Sequence, residues 1–279
     1  IKGACYAGLG ELGSAVKSYE KAIAINPNYA RAYFNLGNAI HELSLQGFGH
    51  LDDPINIYEK SLSIDPNYAE AHNNLGNIFK DLGRLDEALN SFIEAVRIRP
   101  NYAEALYSLG VVFFDLGQFD HAIDSYQKAI EINPNFAHAF NNIGNTYIEK
   151  DKLDLAIEFY QKALKINSNY SEAHNNLGNA YKQLGKLDHA VESYKKAIEI
   201  NPNYPALHNN LGSVYRELGQ LENALKCYSK GLTYNSEFVD LLNNLGVVLH
   251  DLGQLDEAVQ QYEKAISIKP DYAEAYNNL

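Results

Sequence analysis

The phrase Asn-Asn-Leu-Gly stands at residues 73–76, 175–178, 209–212 and 243–246, and Asn-Asn-Ile-Gly stands at 141–144. The chain ends in Asn277-Asn278-Leu279, and from Asn141 onward each copy begins 34 residues after the last. A chain of 279 residues would otherwise suggest one or two globular domains. A fixed period of this length overrides that prior. A short unit cannot bury its apolar face alone, so neighbouring copies must stack into a solenoid with one continuous core.

Six full copies occupy 69–102, 103–136, 137–170, 171–204, 205–238 and 239–272, and residues 273–279 are the first seven positions of another. Residues 30–68 are one copy with a five-residue insertion around 44–48, and 1–29 is a copy lacking its first five positions. Residues 1–279 thus read as a single array. Both ends fall inside a repeat and residue 1 is Ile rather than Met. Solenoid ends need polar caps, so the expectation is a segment of a longer protein, and no targeting segment can be read from it.

Each copy reads as two helices. In 69–102, Gly83 at repeat position 15 separates two periodic segments and Pro100 at position 32 closes the second. The strings Asn67-Tyr68-Ala69-Glu70, Asn101-Tyr102-Ala103-Glu104 and Asn169-Tyr170-Ser171-Glu172 have an amide followed by an acid three places on. That spacing predicts a side-chain N-cap of the capping-box kind.

Small residues recur where helices must approach. Position 8 is Gly at Gly37, Gly76, Gly110, Gly144, Gly178, Gly212 and Gly246, although Gly inside a helix costs up to about 1 kcal/mol against Ala. Position 24 is aromatic at Tyr58, Phe92, Tyr126, Tyr160, Tyr194, Tyr228 and Tyr262, and is expected to fill the space beside it. Position 20 is Ala except at Pro54, and position 27 is Ala except at Ser61 and Gly231. With an aromatic at 11 and Pro at 32, this pattern resembles the tetratricopeptide repeat over essentially the whole chain. Departures are local: Asp151 replaces Gly at position 15, Ser168 and Ser236 replace Pro, and Pro54 should fall in a first helical turn. The resemblance implies an all-α, right-handed superhelical solenoid of helix-turn-helix repeats, with the first helix of each pair lining a concave side.

At roughly 100° per residue, positions 3, 7, 10, 11 and 14 of the first helix share an apolar face. Positions 2, 5, 6, 9, 12 and 13 form an opposite polar stripe, free of core duty. Position 6 is Asn at Asn35, Asn74, Asn142, Asn176, Asn210, Asn244 and Asn278, with Ser108 the exception. Position 5 repeats it at Asn73, Asn141, Asn175, Asn209, Asn243 and Asn277, and position 9 holds Asn77, Asn145 and Asn179. A carboxamide both donates and accepts, so it can pair with a peptide group whatever side chain the ligand carries. Helices roughly 8–10 Å apart and a peptide advancing about 3.3 Å per residue would let such a ladder grip an extended chain every third residue. The same amides could instead bond the adjacent repeat and stiffen the array. Both readings stand for position 6, while position 5 favours ligand contact because its phase lies toward the groove edge.

The ladder resembles the repeat region of O-linked N-acetylglucosamine transferases and their plant fucosyltransferase relatives, where a line of Asn holds substrate peptide backbone. The matching residues are the seven position-6 Asn. No glycosyltransferase sequence is present in the chain, so the resemblance implies substrate selection without catalysis. The two-carboxylate clamp of chaperone adaptors needs Lys at position 5 and Arg at 6, and both are absent. One copy breaks the polar stripe with Tyr107, Val111 and Phe114, followed by Ile148 at position 12 of the next. Such an apolar patch between amide ladders suits a binding hot spot, or a bend or missing segment that covers it. Position 13 is acidic at Glu42, Asp81, Asp115, Glu149, Glu217 and Asp251, against Lys80, Lys182 and Arg216 at position 12. A polar or basic peptide suits that groove.

Other chemistry is thinly represented. A net charge of −12 disfavours a nucleic-acid partner. No apolar run reaches the roughly 18 residues of a membrane span. The two cysteines, Cys5 and Cys227, form neither a disulfide framework nor a metal site, which fits a reducing, cytoplasmic setting. His72, His174 and His208 share position 4 one repeat apart, too far for one ion, and read as packing residues. No phosphate loop or nucleophile–base constellation emerges, so neither cofactor nor metal nor catalytic residue is expected. The reading is a scaffold that binds a protein or extended peptide, or else the substrate arm of a larger glycosyltransferase.

Overall fold

A computed structural model describes residues 2–50 and 53–279. Among them lie seventeen helices and no strand. They cluster in two compact units, Ile1–Pro134 and Asn135–Leu279. The first holds α1 (Lys2–Gly8), α2 (Leu12–Ile25), α3 (Ala30–Leu45), α4 (Asp53–Ile64), α5 (Ala69–Asp81), α6 (Leu85–Ile98), α7 (Ala103–Asp115) and α8 (Phe119–Ile132). The second holds α9 (Ala137–Glu149), α10 (Leu153–Ile166), α11 (Ser171–Gln183), α12 (Leu187–Ile200), α13 (Pro205–Glu217), α14 (Leu221–Tyr234), α15 (Val239–Asp251), α16 (Leu255–Ile268) and α17 (Ala273–Asn278). In both units odd-numbered helices pack on the even-numbered partner that follows, and each hairpin stacks on the next. From α5 onward the first helix starts at position 1 and the second at position 17 of the 34-residue copy.

The turn inside each hairpin explains position 15. Gly83 has φ +73°, its N–H donates to Lys80 O at 2.9 Å, and Arg84 N–H reaches Phe79 O at 2.8 Å. This is a Schellman closure, whose left-handed residue is usually Gly. Asp151 makes the same turn at φ +54°, with Lys152 N–H on Tyr147 O at 2.9 Å. It is the one positive-φ residue other than Gly among the described residues.

The caps differ from the sequence expectation. The N-cap residues are Tyr68, Tyr102 and Tyr170, none of which makes a side-chain capping bond. Side chains further upstream close the turn: Asn167 Oδ1 accepts from Asn169 N–H at 3.1 Å, as the Asp65 carboxylate does from Asn67 N–H. Glu70 reaches Arg99 at the far end of its repeat (2.5 Å) instead of closing back on its own helix start. Before Tyr68 and Tyr170 the local motif loses because the preceding linker is already closed by these Asx turns; before Tyr102, where Arg99 replaces the Asx residue, a backbone bond from Tyr102 N–H to Arg99 O closes it.

The core is one contact repeated. A Cβ added to Gly110 would lie 2.6 Å from the Tyr126 ring, and one on Gly178 2.7 Å from Tyr194. Gly76 stands likewise to Phe92, and Gly246 to Tyr262, so position 8 is Gly because the position-24 ring lies flat against the helix backbone. Position 27 shows compensation: a Cβ on Gly231 would meet Leu241 Cδ1 at 2.7 Å. Leu241 fills a place held by Ala71, Ala105, Ala139 and Ala173, so the larger Leu is accommodated where position 27 has lost its methyl. The insertion lengthens α3 to 16 residues, and Ser44 Oγ bonds both Ile40 O and His50 O. Pro54 lies in the first turn of α4, as expected.

Candidate functional site

The polar stripes of the first helices form amide chains between repeats. In the second unit, Asn210 Nδ2 donates to Asn175 Oδ1 at 2.9 Å, Asn244 to Asn209 at 2.8 Å and Asn278 to Asn243 at 2.9 Å. Asn176 donates to both Asn141 Oδ1 (3.2 Å) and Asn145 Oδ1 (3.1 Å). Asn176, Asn210, Asn244 and Asn278 therefore each spend an N–H on the copy before them. Asn176, Asn210 and Asn244 stay half-exposed, with their own Oδ1 accepting no hydrogen bond among the described residues.

Position 5 is placed differently from the groove-edge phase expected of it. Asn73, Asn141 and Asn243 are buried, while Asn175 and Asn209 are half-buried. A single-helix projection puts position 5 beside the stripe, but the following repeat's first helix packs over it. Asn141 is fully enclosed and additionally donates to Glu172 at 3.2 Å. Position-5 carbonyls are thus the acceptors of the chain in the second unit, while position 6 is half-exposed at Asn176, Asn210 and Asn244; Asn277 is exposed.

In the first unit the chain is irregular. Asn74 donates to Asn38 Oδ1 at 2.8 Å, and Asn35 is half-buried. Asn73 Nδ2 reaches Asn74 Oδ1 at 3.3 Å, but its buried Oδ1 has no donor. The next repeat offers Ser108 where Asn would stand, and Ser108 Oγ turns to Asn77 Oδ1 at 3.5 Å.

A second set of partners was not anticipated. The position-24 phenols donate to position-9 amides: Tyr58 to Asn38 (2.6 Å), Tyr160 to Asn145 (2.8 Å) and Tyr194 to Asn179 (2.6 Å). The signal lay in the pairing of Asn at 9 with Tyr at 24. Where position 9 is Ser213, Tyr228 OH is buried without a partner, because Ser213 bonds Asn210 O and Lys182. Burial pushes the Tyr58 and Tyr228 phenols up to about 12, and those of Tyr160 and Tyr194 further.

Charges along the stripe are mostly paired. Lys182 meets Glu217 at 2.9 Å and Lys80 meets Asp81 at 3.6 Å. Burial raises the Asp115 carboxyl, opposed by Lys80. The apolar residues divide between the units. Tyr107, Val111 and Phe114 are half-buried on α7, with Tyr107 tilted on Tyr126 and Phe114 on Phe119, each pair at 5.7 Å. Ile148 belongs to the second unit, packed on the core cluster around Tyr160. His72, His174 and His208 each place Nε2 on a position-32 carbonyl, at 3.0, 3.0 and 2.8 Å. Among the described residues no three His, Cys, Asp or Glu side chains gather as a metal site, and no helix is long and apolar enough to cross a membrane.

Stacked helical hairpins with a small residue at 8 and an aromatic at 24 define a helical-repeat interaction scaffold. Family models described as TPR repeat match residues 3–44, 76–117, 144–185, 178–215, 212–253 and 248–279. Models described as tetratricopeptide repeat match 103–136, 57–90 and 125–158. The chain belongs to the tetratricopeptide repeat family.

Solved relatives share the architecture. The crystal structure of MamA is 27% identical, covers 60% of this chain and 97% of its own, and superposes with a TM-score of 0.55. PilF of Pseudomonas aeruginosa is 21% identical over 75% of this chain and 95% of its own, with a TM-score of 0.65. A chain of the APC/C Cut9–Hcn1 hetero-tetramer is 18% identical over 96% of this chain and 52% of its own, also at 0.65. The last two likenesses concern the fold alone. No curated protein sequence matches the chain.

Proposed function

We propose that residues 1–279 act as one array of repeats that binds a protein through an extended segment, gripped along the first helices by the position-6 amides. The observation that carries this is the half-exposed Oδ1 of Asn176, Asn210 and Asn244, each accepting no bond while its amide is fixed by the preceding repeat. A preorganised acceptor loses little side-chain entropy on binding, and it recognises a backbone N–H without regard to sequence. Asn142 occupies the same position, but its Oδ1 already accepts from Asn141 Nδ2 at 3.5 Å, so it is not assigned that role. Buried Asn73, Asn141 and Asn243 hold the rungs, and Asn77, Asn145 and Asn179 brace them. No residue is assigned a catalytic role.

Peptides selected from a random display library by the wild-type chain provide the test. Replacing Asn210 and Asn244 by Ala should weaken the selected peptides at least about tenfold, because their acceptors Asn175 and Asn209 stay solvated and the fold persists. Unchanged affinity removes the amides from the binding account. The finer reading, a substrate arm of an O-linked N-acetylglucosamine transferase-like enzyme, draws on the same amides. A nucleotide-sugar-binding domain on the same polypeptide would favour it.

A further inference from the structure

We infer that the broken rung between α5 and α7 is a selectivity subsite, which takes a bulky apolar side chain of the bound peptide together with an adjacent backbone N–H. This rests on the extended-peptide reading above. Three observations meet there. Asn73 Oδ1 is a buried acceptor with no donor, whereas its counterparts Asn141, Asn175, Asn209 and Asn243 all receive one from the following repeat. Leaving such an acceptor unpaired costs about 1–3 kcal/mol, a standing drive toward any donor that reaches it. Ser108, which occupies the missing rung, is too short to donate and is held by a single 3.5 Å bond to Asn77, at the limit of a hydrogen bond.

The third observation is the surface beside it. On α7 the stripe carries Tyr107, Val111 and Phe114, all half-buried, at positions that hold Asn175, Asn179 and Lys182 on α11. The same helix that lacks the donor thus replaces three polar side chains by apolar area. An apolar ligand group there removes water from the phenyl and valine surfaces, at about 25 cal/mol per Å². Its backbone N–H, displacing the Ser108 hydroxyl, would complete the Asn73 acceptor. Amide rungs elsewhere read no sequence, so this is where the face can discriminate among peptides.

The probe is a set of acetylated, amidated dodecapeptides with one central position fixed as Leu, Phe, Ser, Asn or Glu in a randomised background. Wild type should retain the Leu and Phe pools at least about tenfold over the Ser and Asn pools. Ser108→Asn restores the donor to Asn73, so it should raise the melting temperature while abolishing that preference. Val111→Asn, which recreates the position-9 residue of α11, should also abolish it. Ser213→Asn, in the second unit, should leave it intact. An apolar preference that survives Ser108→Asn, or retention of all pools alike, overturns the subsite and leaves the amide reading standing. Retention of no pool by wild type overturns both.

Discussion

Asn176→Ala and Asn210→Ala remove the same side chain from equivalent positions, yet the amide chain predicts unequal costs. Asn176 Nδ2 is the donor, among the described residues, to the Oδ1 of Asn141, a residue with 0% exposure. Its second acceptor, Asn145 Oδ1, keeps the Tyr160 phenol at 2.8 Å. The loss therefore strands one acceptor that water cannot reach, costing about 1–3 kcal/mol. Ala returns roughly 0.5 kcal/mol of helix propensity. A net loss of about 0.5–2.5 kcal/mol follows. Asn210 donates to Asn175, which is half-exposed, so water takes over and the net bond worth of about 1 kcal/mol is nearly offset. Hydrogen exchange of the α9 and α11 backbone amides reads the difference locally, which matters because repeat arrays need not unfold in one step. Asn176→Ala should speed exchange there about 2–70-fold through that loss, and by more than Asn210→Ala, which should stay below about threefold. Equal effects, or a neutral Asn176→Ala, would refute the burial argument.

Other consequences follow from the same geometry. Tyr194→Phe breaks the bond to Asn179 and should cost about 1 kcal/mol, whereas Tyr228→Phe removes a buried hydroxyl without a partner and should be neutral or stabilising in urea titration. The raised phenols of Tyr58 and Tyr228 favour the neutral form in the folded state. Their stabilising effect is complete below the unfolded value near 10 and is lost as pH rises toward about 12. The last fraction of tyrosinate absorbance, from the buried phenols, should therefore appear together with loss of helical circular dichroism in that window; full ionisation of a still-helical chain near pH 10 would contradict it. Asp151→Gly relieves a left-handed backbone and should raise stability by up to about 1 kcal/mol, with no gain for Gly at exposed Asp154 in α10.

Much of the architecture was legible because period and packing coincide. The 34-residue spacing placed both helices of each copy, and Gly at 8 opposite an aromatic at 24 anticipated the ring-on-backbone contact that Gly110 and Tyr126 show. The caps were misread because Asn169 stands where a capping amide would, while the turn there is closed by Asn167 two residues earlier, and sequence does not rank the two. Position 5 was misplaced for a different reason. A helical projection knows one helix, while the burial of Asn141 is decided by the repeat stacked upon it. The phenol-to-amide bonds were recoverable in principle. Asn38, Asn145 and Asn179 all precede Tyr in their own copies, and in the Ser213 copy, which lacks the amide, the Tyr228 hydroxyl is orphaned.

The central claim is that position-6 amides hold a ligand backbone with the valence left over from holding the array together. Side-chain amide resonances of the ¹⁵N-labelled chain test it directly during titration with a wild-type-selected peptide. The Asn176, Asn210 and Asn244 Nδ2 signals should shift in a saturable way, and those of buried Asn141 and Asn243 should stay in place. Saturation of peptide binding with the three position-6 signals unmoved would contradict the account.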